Sequence, residues 1–236
     1  MSLEAPTLLA IDASTERLAI GVCAPAGERR WTGPGGPIAS RECLPRARAL
    51  LAALGLEWRD LAAIGFGVGP GAFTGLRTAC AVAQGLAFGL ARPMIAIDSL
   101  AIVAEDAGAD PALPLWVAMD ARMDEVYAAP YRHDGRVWTA AAAPALWTLP
   151  ALQARWADEP PLQVAGSALA AFGSRLPTGR AERLAEETDR AGAMLRLARQ
   201  GHARGAVIDP AEALPVYLRD KVALTVAERD RRRVTS

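Results

Sequence analysis

The stretch from Thr7 to Ala24, TLLAIDASTERLAIGVCA, decides the fold of this chain. An apolar run ends at Asp12, a polar turn of residues 13–16 follows, and a second apolar run begins after Arg17. Two short apolar runs separated by a tight polar turn predict a β-hairpin. The hairpin therefore ends its first strand on an aspartate, which either faces a ligand or simply caps the strand.

The residues after the hairpin carry alternating strand and helix signals. Apolar residues at Leu44, Leu51 and Leu54 have helical spacing, and Gly55 is placed to end that helix. The predicted elements are a strand at Glu28–Trp31, a helix around Leu44–Leu54, a strand at Ala62–Val68, a helix at about Phe73–Leu90 and a strand at Pro93–Ile97. This alternation is typical of an α/β protein.

The second half of the chain starts the same pattern again. LWVAMD, which ends at Asp120 and is followed by Ala121, resembles the run that ends at Asp12, at an offset of 108 residues. Gly27 and Gly135 share that offset, so an internal duplication is predicted, with chance similarity of two hairpins as the alternative. Later in the chain we predict a strand at 162–166 and a helix at 188–199.

Two lobes that each open with a hairpin whose turn follows Asp suggest the actin/sugar-kinase/Hsp70-like (ASKHA) fold, an α/β class. The expected lobes are duplicated βββαβα units, with the second one degenerate. We predict an N-terminal lobe at 1–108 that carries partner-binding helices, a C-terminal lobe at 109–218 and an Arg-rich tail at 219–236.

Composition excludes several functional classes. Lys plus Arg number 26 and Asp plus Glu number 26, so bulk charge attracts neither nucleic acid nor an anionic membrane. Lys221 is the only lysine, and the chain has no Walker loop. The three cysteines have no C-x-x-C spacing, which favours a reduced, cytoplasmic protein over a disulfide framework. The most apolar stretch, 78–91, is too short to span a bilayer.

In the ASKHA fold the first hairpin turn wraps nucleotide phosphates while its Asp organises a hydrated Mg²⁺. Asp12, Ser14 and Thr15 are the residues here with the chemistry for those roles. The usual glycine of the turn is replaced by Ala13, however. We therefore expect no tightly bound cofactor, with ATP or ADP binding only weakly or at the interface of a complex.

The second hairpin departs further from a nucleotide site. Arg122 and Met123 stand where a second small phosphate turn would be expected, and Gly166-Ser167 is the nearest candidate to approach a purine ring. The alternative function is a stand-alone ATP-dependent kinase of this fold, which these departures disfavour. A metallopeptidase is a more distant alternative.

Four stretches together resemble one family. GVGPGAFTGLRTACAVAQGLAFGL at Gly67–Leu90, LLAIDAST in the first hairpin, DARMDEVY at Asp120–Tyr127 and PVYLR at Pro215–Arg219 closely resemble the bacterial TsaB family. The resemblance implies a non-enzymatic subunit in making the threonylcarbamoyl modification of the tRNA adenosine beside the anticodon. It also implies pairing with the catalytic paralogue TsaD, joined by the ATPase TsaE, with tRNA reached only through the complex.

Catalytic relatives carry an H-x-x-x-H metal pair after the strand that follows the glycine-rich helix. Ser99 and Val103 occupy those positions here, and neither supplies an imidazole. The only histidines, His133 and His202, are expected at the surface. No H-E-x-x-H string or nucleophile elbow is present. We therefore expect no metal site and no catalytic residue.

Two rows of small residues on the glycine-rich helix permit close approach of another helix. One row contains Gly75, Ala79, Ala83 and Ala87, and the other contains Ala81, Gly85 and Gly89. Spacing alone leaves packing within the lobe and contact with a second chain open, and the resemblance favours contact with TsaD or, when TsaD is missing, a homodimer. The predicted partner interface comprises Leu44, Leu51, Leu54, Phe73, Gly75, Leu76, Ala79, Ala83, Leu86 and Ala87.

Overall fold

The computed structural model describes residues 5–184 and 188–219. The elements of the first half are β1 (Leu8–Asp12), β2 (Arg17–Ala24), β3 (Gly27–Pro34), α1 (Ala39–Ala52), β4 (Ala63–Gly69), α2 (Phe73–Leu90), β5 (Met94–Asp98) and α3 (Ser99–Asp106). The elements of the second half are β6 (Leu115–Asp120), β7 (Glu125–His133), β8 (Trp138–Ala140), β9 (Ala145–Thr148), α4 (Leu149–Asp158), β10 (Gln163–Ala165), α5 (Ala168–Phe172), β11 (Glu182–Arg183) and α6 (Arg190–Ala203).

The first sheet has the strand order β3-β2-β1-β4-β5. The predicted hairpin is confirmed, since β1 and β2 pair antiparallel from Leu8 opposite Cys23 to Asp12 opposite Ala19. β4 and β5 extend the sheet in parallel. Because parallel strands place their carboxyl ends at one edge, Asp12 lies beside the residues that follow β4 and β5.

The second sheet repeats the first. Its order β8-β7-β6-β10-β11 matches that of the first sheet strand for strand. The 108-residue offset carries Arg17 to Glu125, the first residues of β2 and β7. The third strand is broken, because β8 and β9 pair in succession along β7 on either side of residues 141–144. The predicted two-lobed ASKHA fold with a degenerate second copy is confirmed.

Helices cover both faces of the first sheet. Leu51 of α1 and Ala83 of α2 belong to the core on one face. On the other face, Met194 and Leu195 of α6 pack against the sheet, and a Cβ added at Gly21 would meet the Leu195 side chain at 2.7 Å. The first sheet is thus the centre of three layers.

Each half of the chain supplies a helix to the other across the predicted boundary at residue 108. α6 lies within the predicted second lobe of residues 109–218, yet it packs on the first sheet. α3 precedes residue 108, yet Leu100 and Ala104 belong to the core of the second sheet. The apolar faces of α3 and α6 fill the space between the two sheets, which sequence order does not reveal.

The predicted Arg-rich tail lies outside the described residues, apart from Arg219. In the described ranges, no helix is both long and apolar enough to cross a membrane.

Candidate functional site

Asp12 lies at the end of β1, and its side chain is completely buried. Its Oδ2 accepts hydrogen bonds from the backbone N–H of Ser14 at 3.2 Å and from the Ser14 hydroxyl at 3.0 Å. Its Oδ1 accepts one from the hydroxyl of Ser99 at 3.3 Å. The carboxylate therefore joins the hairpin turn to the start of α3.

A guanidinium from the second half of the chain occupies the same site. Nε of Arg190 lies 2.8 Å from Oδ2 of Asp12, with the arginine side chain 2% exposed and the aspartate 0%. Nη2 of Arg190 also donates to Oγ of Ser14 at 2.7 Å. Buried opposite charges are stable when they are paired and hydrogen-bonded, as these are. The site at the first hairpin is thus closed by the chain itself.

The three residues of the predicted weak phosphate site lie around this ion pair. Asp12 and Ser14 come together as the sequence predicts, but Arg190 already contacts both of them. Thr15 lies at the rim of the site, and its hydroxyl accepts a hydrogen bond from the backbone N–H of Arg17 at 3.1 Å. The oxygen atoms that would meet a hydrated cation in this fold instead contact a guanidinium.

A cleft of about 690 Å³ lies between the lobes, next to this closed site. Ser14 and Thr15 line it from the first lobe, and Gly166 lines it from the second. Glu16 and Arg122 form an ion pair that joins the two hairpins at the cleft. The cleft is therefore crossed by side chains of both lobes.

The turn of the second hairpin has an unusual backbone. Arg122, Met123 and Asp124 have φ values of 63°, 58° and 59°, in the left-handed region that costs energy for residues other than glycine. Arg219 stabilises the turn by donating to the backbone carbonyl of Ala121 at 2.9 Å and by pairing with Glu125. The sequence predicted that this turn differs from a small phosphate-binding turn. In the structure, Arg122 is part of the turn and Arg219 is bonded to it.

The segment from Pro210 to Arg219 runs along α2 before it reaches the second hairpin. Gln84 donates to the carbonyl of Pro210 at 2.6 Å, and Arg77 donates to the hydroxyl of Tyr217 at 3.1 Å. The ring of Tyr217 lies 4.9 Å from that of Phe73. The segment therefore covers one flank of α2 and ties it to the cleft.

One small row of α2, which belongs to the predicted partner interface, faces its own lobe. Ala79, Ala83 and Ala87 are fully buried in the core of the first lobe. A Cβ at Gly75 would lie 1.8 Å from the carbonyl oxygen of Ala13, so α2 touches the first hairpin there. Of the predicted interface residues, Leu51, Gly75, Leu76, Ala79, Ala83 and Ala87 are buried, Leu54, Phe73 and Leu86 are half-buried, and Leu44 is exposed.

The other small row of α2 is exposed. Ala81, Gly85 and Gly89 lie on the outer surface, and no atom lies within 4 Å of a Cβ placed at either glycine. Phe88 in the same region is 58% exposed, and Leu44 on α1 is 44% exposed. This second row, which shares the exposed surface of α2 with Phe88, is the part of α2 that an incoming helix can approach.

A buried hydrogen bond joins the two lobes at Asp98. The hydroxyl of Tyr131, from β7, donates to Oδ2 of Asp98 at 2.6 Å, and the backbone N–H of Leu100 donates to Oδ1 at 2.9 Å. Burial raises the pKa of Asp98, although both hydrogen bonds act to lower it. Burial also raises the pKa of Tyr131, so its hydroxyl stays a donor.

The positions of the relatives' metal pair lie on α3. Ser99 is fully buried and Val103 is 2% exposed, so both side chains belong to the interior. His133 ends β7 and makes an edge-to-face ring contact with Trp138, and His202 lies in the last turn of α6. Within residues 5–184 and 188–219, no group of three His, Cys, Asp or Glu side chains is placed to hold a metal ion.

The sequence interpretation missed Arg190. Its position is visible in the pattern of α6, where residues 190, 194 and 198 lie on one helical face. Met194 and Ala198 are fully buried, so an arginine in line with them is a charged residue on an apolar face. That pattern predicts a buried ion pair but does not identify Asp12 as its partner.

These features define a class: a two-lobed ASKHA protein whose first hairpin is closed by the chain's own arginine. A family model described as TsaD, tRNA N6-adenosine threonylcarbamoyltransferase, matches residues 39–179. The solved structure of YeaZ from Pseudomonas aeruginosa has a TM-score of 0.79 and 34% identity, covering 90% of this chain and 100% of that one.

Curated relatives agree with the structural comparison. The tRNA threonylcarbamoyladenosine biosynthesis protein TsaB of Haemophilus influenzae is 38% identical over 122 residues, which is 51% of this chain and 52% of the relative. TsaB of Escherichia coli K12 is 40% identical over 96 residues, covering 40% and 42%. The matched stretch spans about half the length of these relatives or less. This chain belongs to the TsaB family, as its motifs predicted.

Proposed function

We propose that this chain is a non-catalytic subunit in the biosynthesis of threonylcarbamoyladenosine in tRNA. Membership of the TsaB family supports the pathway, because the curated relatives are named for it. The observation that carries the non-catalytic role is the ion pair between Arg190 and Asp12, which closes the site where this fold handles nucleotide. ATP or ADP then binds this chain only weakly, or at an interface with a partner.

The partner we propose is TsaD, with TsaE joining the pair and tRNA reached only through the complex. The docking surface is the exposed row of α2, Ala81, Gly85 and Gly89, together with Leu44 and Phe88. Small residues allow two helix backbones to approach closely, and the two apolar side chains bury area on contact. The same surface pairs two copies of this chain when TsaD is absent.

A reconstituted reaction tests the proposed role. The chain alone, given ATP, threonylcarbamoyl adenylate and substrate tRNA, should form no modified adenosine. Adding TsaD and TsaE should produce it, and leaving out this chain should abolish it. Modification by this chain alone would show that it is an enzyme, and full activity of TsaD and TsaE without it would show that it is dispensable.

Light scattering tests the pairing surface in the isolated chain. Ala81→Arg places a charged side chain in the exposed row of α2 and should shift a micromolar solution from dimer to monomer. Ala154→Arg makes the same change at an exposed position of α4 and should leave the dimer intact. Dimers of both variants would exclude this row as the contact, and a monomeric unmodified chain would exclude the homodimer.

A further inference from the structure

We infer that Arg190 is a positioning residue whose guanidinium is the resident cation of the first hairpin and fixes the turn on which α2 begins. In the ASKHA fold a hydrated cation faces the aspartate of this hairpin. Here the charge that faces Asp12 comes from a residue 178 positions away in the chain. The inference concerns the isolated chain and does not depend on TsaD.

The location of Arg190 on its own helix does not explain its charge. It is the first residue of α6, where the helix dipole disfavours a cation. The N-terminus of α6 is capped instead by Asp189, whose side chain accepts a hydrogen bond from the backbone N–H of Gly192 at 3.1 Å. The buried carboxylate of Asp12, at 2.8 Å, compensates the charge of the arginine.

The ion pair reaches α2 through two serines. The backbone carbonyl of Ser14 accepts a hydrogen bond from the N–H of Ala72, the N-cap of α2, at 2.7 Å. The hydroxyl of Ser99 donates to Asp12 and accepts from the N–H of Gly69 at 3.1 Å. Because Arg190 bonds to Ser14 and Asp12 bonds to both serines, the pair holds the segment between β4 and α2 from two sides.

Removal of the guanidinium has a specific consequence. Arg190→Ala leaves the carboxylate of Asp12 buried without its charged partner, and the melting temperature should fall by about 10 °C. Ser14, which accepts a hydrogen bond from Arg190, lines the cleft, so the space vacated by the arginine side chain lies directly behind a residue of the cleft wall. Methylguanidinium at about 0.1 M should therefore bind there and restore a measurable part of the lost stability, whereas sodium chloride at the same concentration should not.

Two further variants separate the ion pair from general packing. Arg196→Ala removes an arginine of the same helix that pairs with Glu105 and is 43% exposed. Its melting temperature should lie close to that of the unmodified protein, and neither methylguanidinium nor sodium chloride should change it. The double variant Asp12→Ala/Arg190→Ala should melt above Arg190→Ala, because the buried Asp12 carboxylate is removed together with its partner, and methylguanidinium should not stabilise it.

Hydrogen exchange followed by mass spectrometry tests the positioning itself. Amides of the segment that contains Gly69 and Ala72 should exchange faster in Arg190→Ala, slow again with methylguanidinium, and remain unchanged in Arg196→Ala. A purely structural loss would raise exchange throughout the lobe and would not respond to the added cation.

Several results would overturn the inference. They are equal melting of Arg190→Ala and Arg196→Ala, failure of methylguanidinium to restore stability, or unchanged exchange before α2. Should Arg190→Ala be recovered unfolded, the double variant decides: a folded double variant supports the ion pair, and one as unfolded as the single variant overturns it.

Discussion

Two glycines on α2 give a sharp test of which face of this helix is covered. Gly75 faces the first hairpin, where an added Cβ would lie 1.8 Å from the carbonyl oxygen of Ala13. Gly85, on the same helix, has no atom within 4 Å of an added Cβ. Replacement of each by alanine is the same chemical change, so the difference between the variants reports only on their surroundings.

The expected free-energy changes have opposite signs. Alanine in place of a helical glycine stabilises by about 1 kcal/mol when nothing obstructs it, and this is the expected result for Gly85→Ala. Gly75→Ala would force α2 away from a backbone carbonyl by more than about 1 Å, and overpacking of this kind costs about 1–3 kcal/mol, with more for rigid neighbours. The two variants should differ by about 2–4 kcal/mol in the free energy of unfolding.

Urea unfolding followed by far-UV circular dichroism measures both values in the Ala81→Arg background, where the proposed homodimer contact is blocked and only atoms of the same chain can cover Gly85. Gly85→Ala should move the midpoint to higher urea, and Gly75→Ala should move it to lower urea, with unchanged slopes. Stabilisation by both substitutions would mean that α2 does not touch the hairpin at Gly75. Destabilisation by both would mean that Gly85 is covered in the isolated chain, and would contradict the assignment of the exposed row.

Further variants test the interior of the first lobe and the bond between lobes. Ala83→Arg buries a charge at a fully buried position and should prevent folding, seen as lost soluble yield and lost circular dichroism, whereas Ala81→Arg should fold normally. Tyr131→Phe removes the 2.6 Å hydrogen bond to Asp98 and should lower stability by about 1–3 kcal/mol in urea unfolding. Burial raises the pKa of Asp98, so its contribution to stability is present below the ordinary Asp range and is lost as pH rises through the raised pKa. The melting temperature of Asp98→Asn should therefore increase relative to that of the unmodified protein as pH rises above the ordinary Asp range, and a constant difference would contradict the raised pKa.

The hairpin and the glycine-rich helix were predictable because their signals are local. Residues 7–24 contain both strands and their turn, and the predicted bounds of α2, Phe73 and Leu90, agree with the structure. The duplication was also predictable, since a shared offset of 108 residues reflects the shared strand order of the two sheets. The break between β8 and β9 was not, because the Ala- and Pro-rich residues 141–144 interrupt the periodic pattern.

The remaining features depend on long-range packing that a pattern does not contain. Both rows of α2 consist of small residues, so spacing does not show that Ala83 faces the core and Ala81 faces outward. The packing of α3 on the second sheet and of α6 on the first was not predictable either, because an apolar helix face can pack on either sheet. The pairing of Asp12 with Arg190 joins residues from opposite halves of the chain, and a buried charge finds its partner only in the folded protein.

The binding of TsaD to this chain tests the central claim most directly. Calorimetric titration should give tight binding for the unmodified chain and for Ala154→Arg. The affinity of Ala81→Arg should fall by at least about a hundredfold, because a desolvated charge at a helix contact costs several kcal/mol. Equal affinities of Ala81→Arg and Ala154→Arg for TsaD would contradict the account, since the exposed row of α2 would then not be the docking surface.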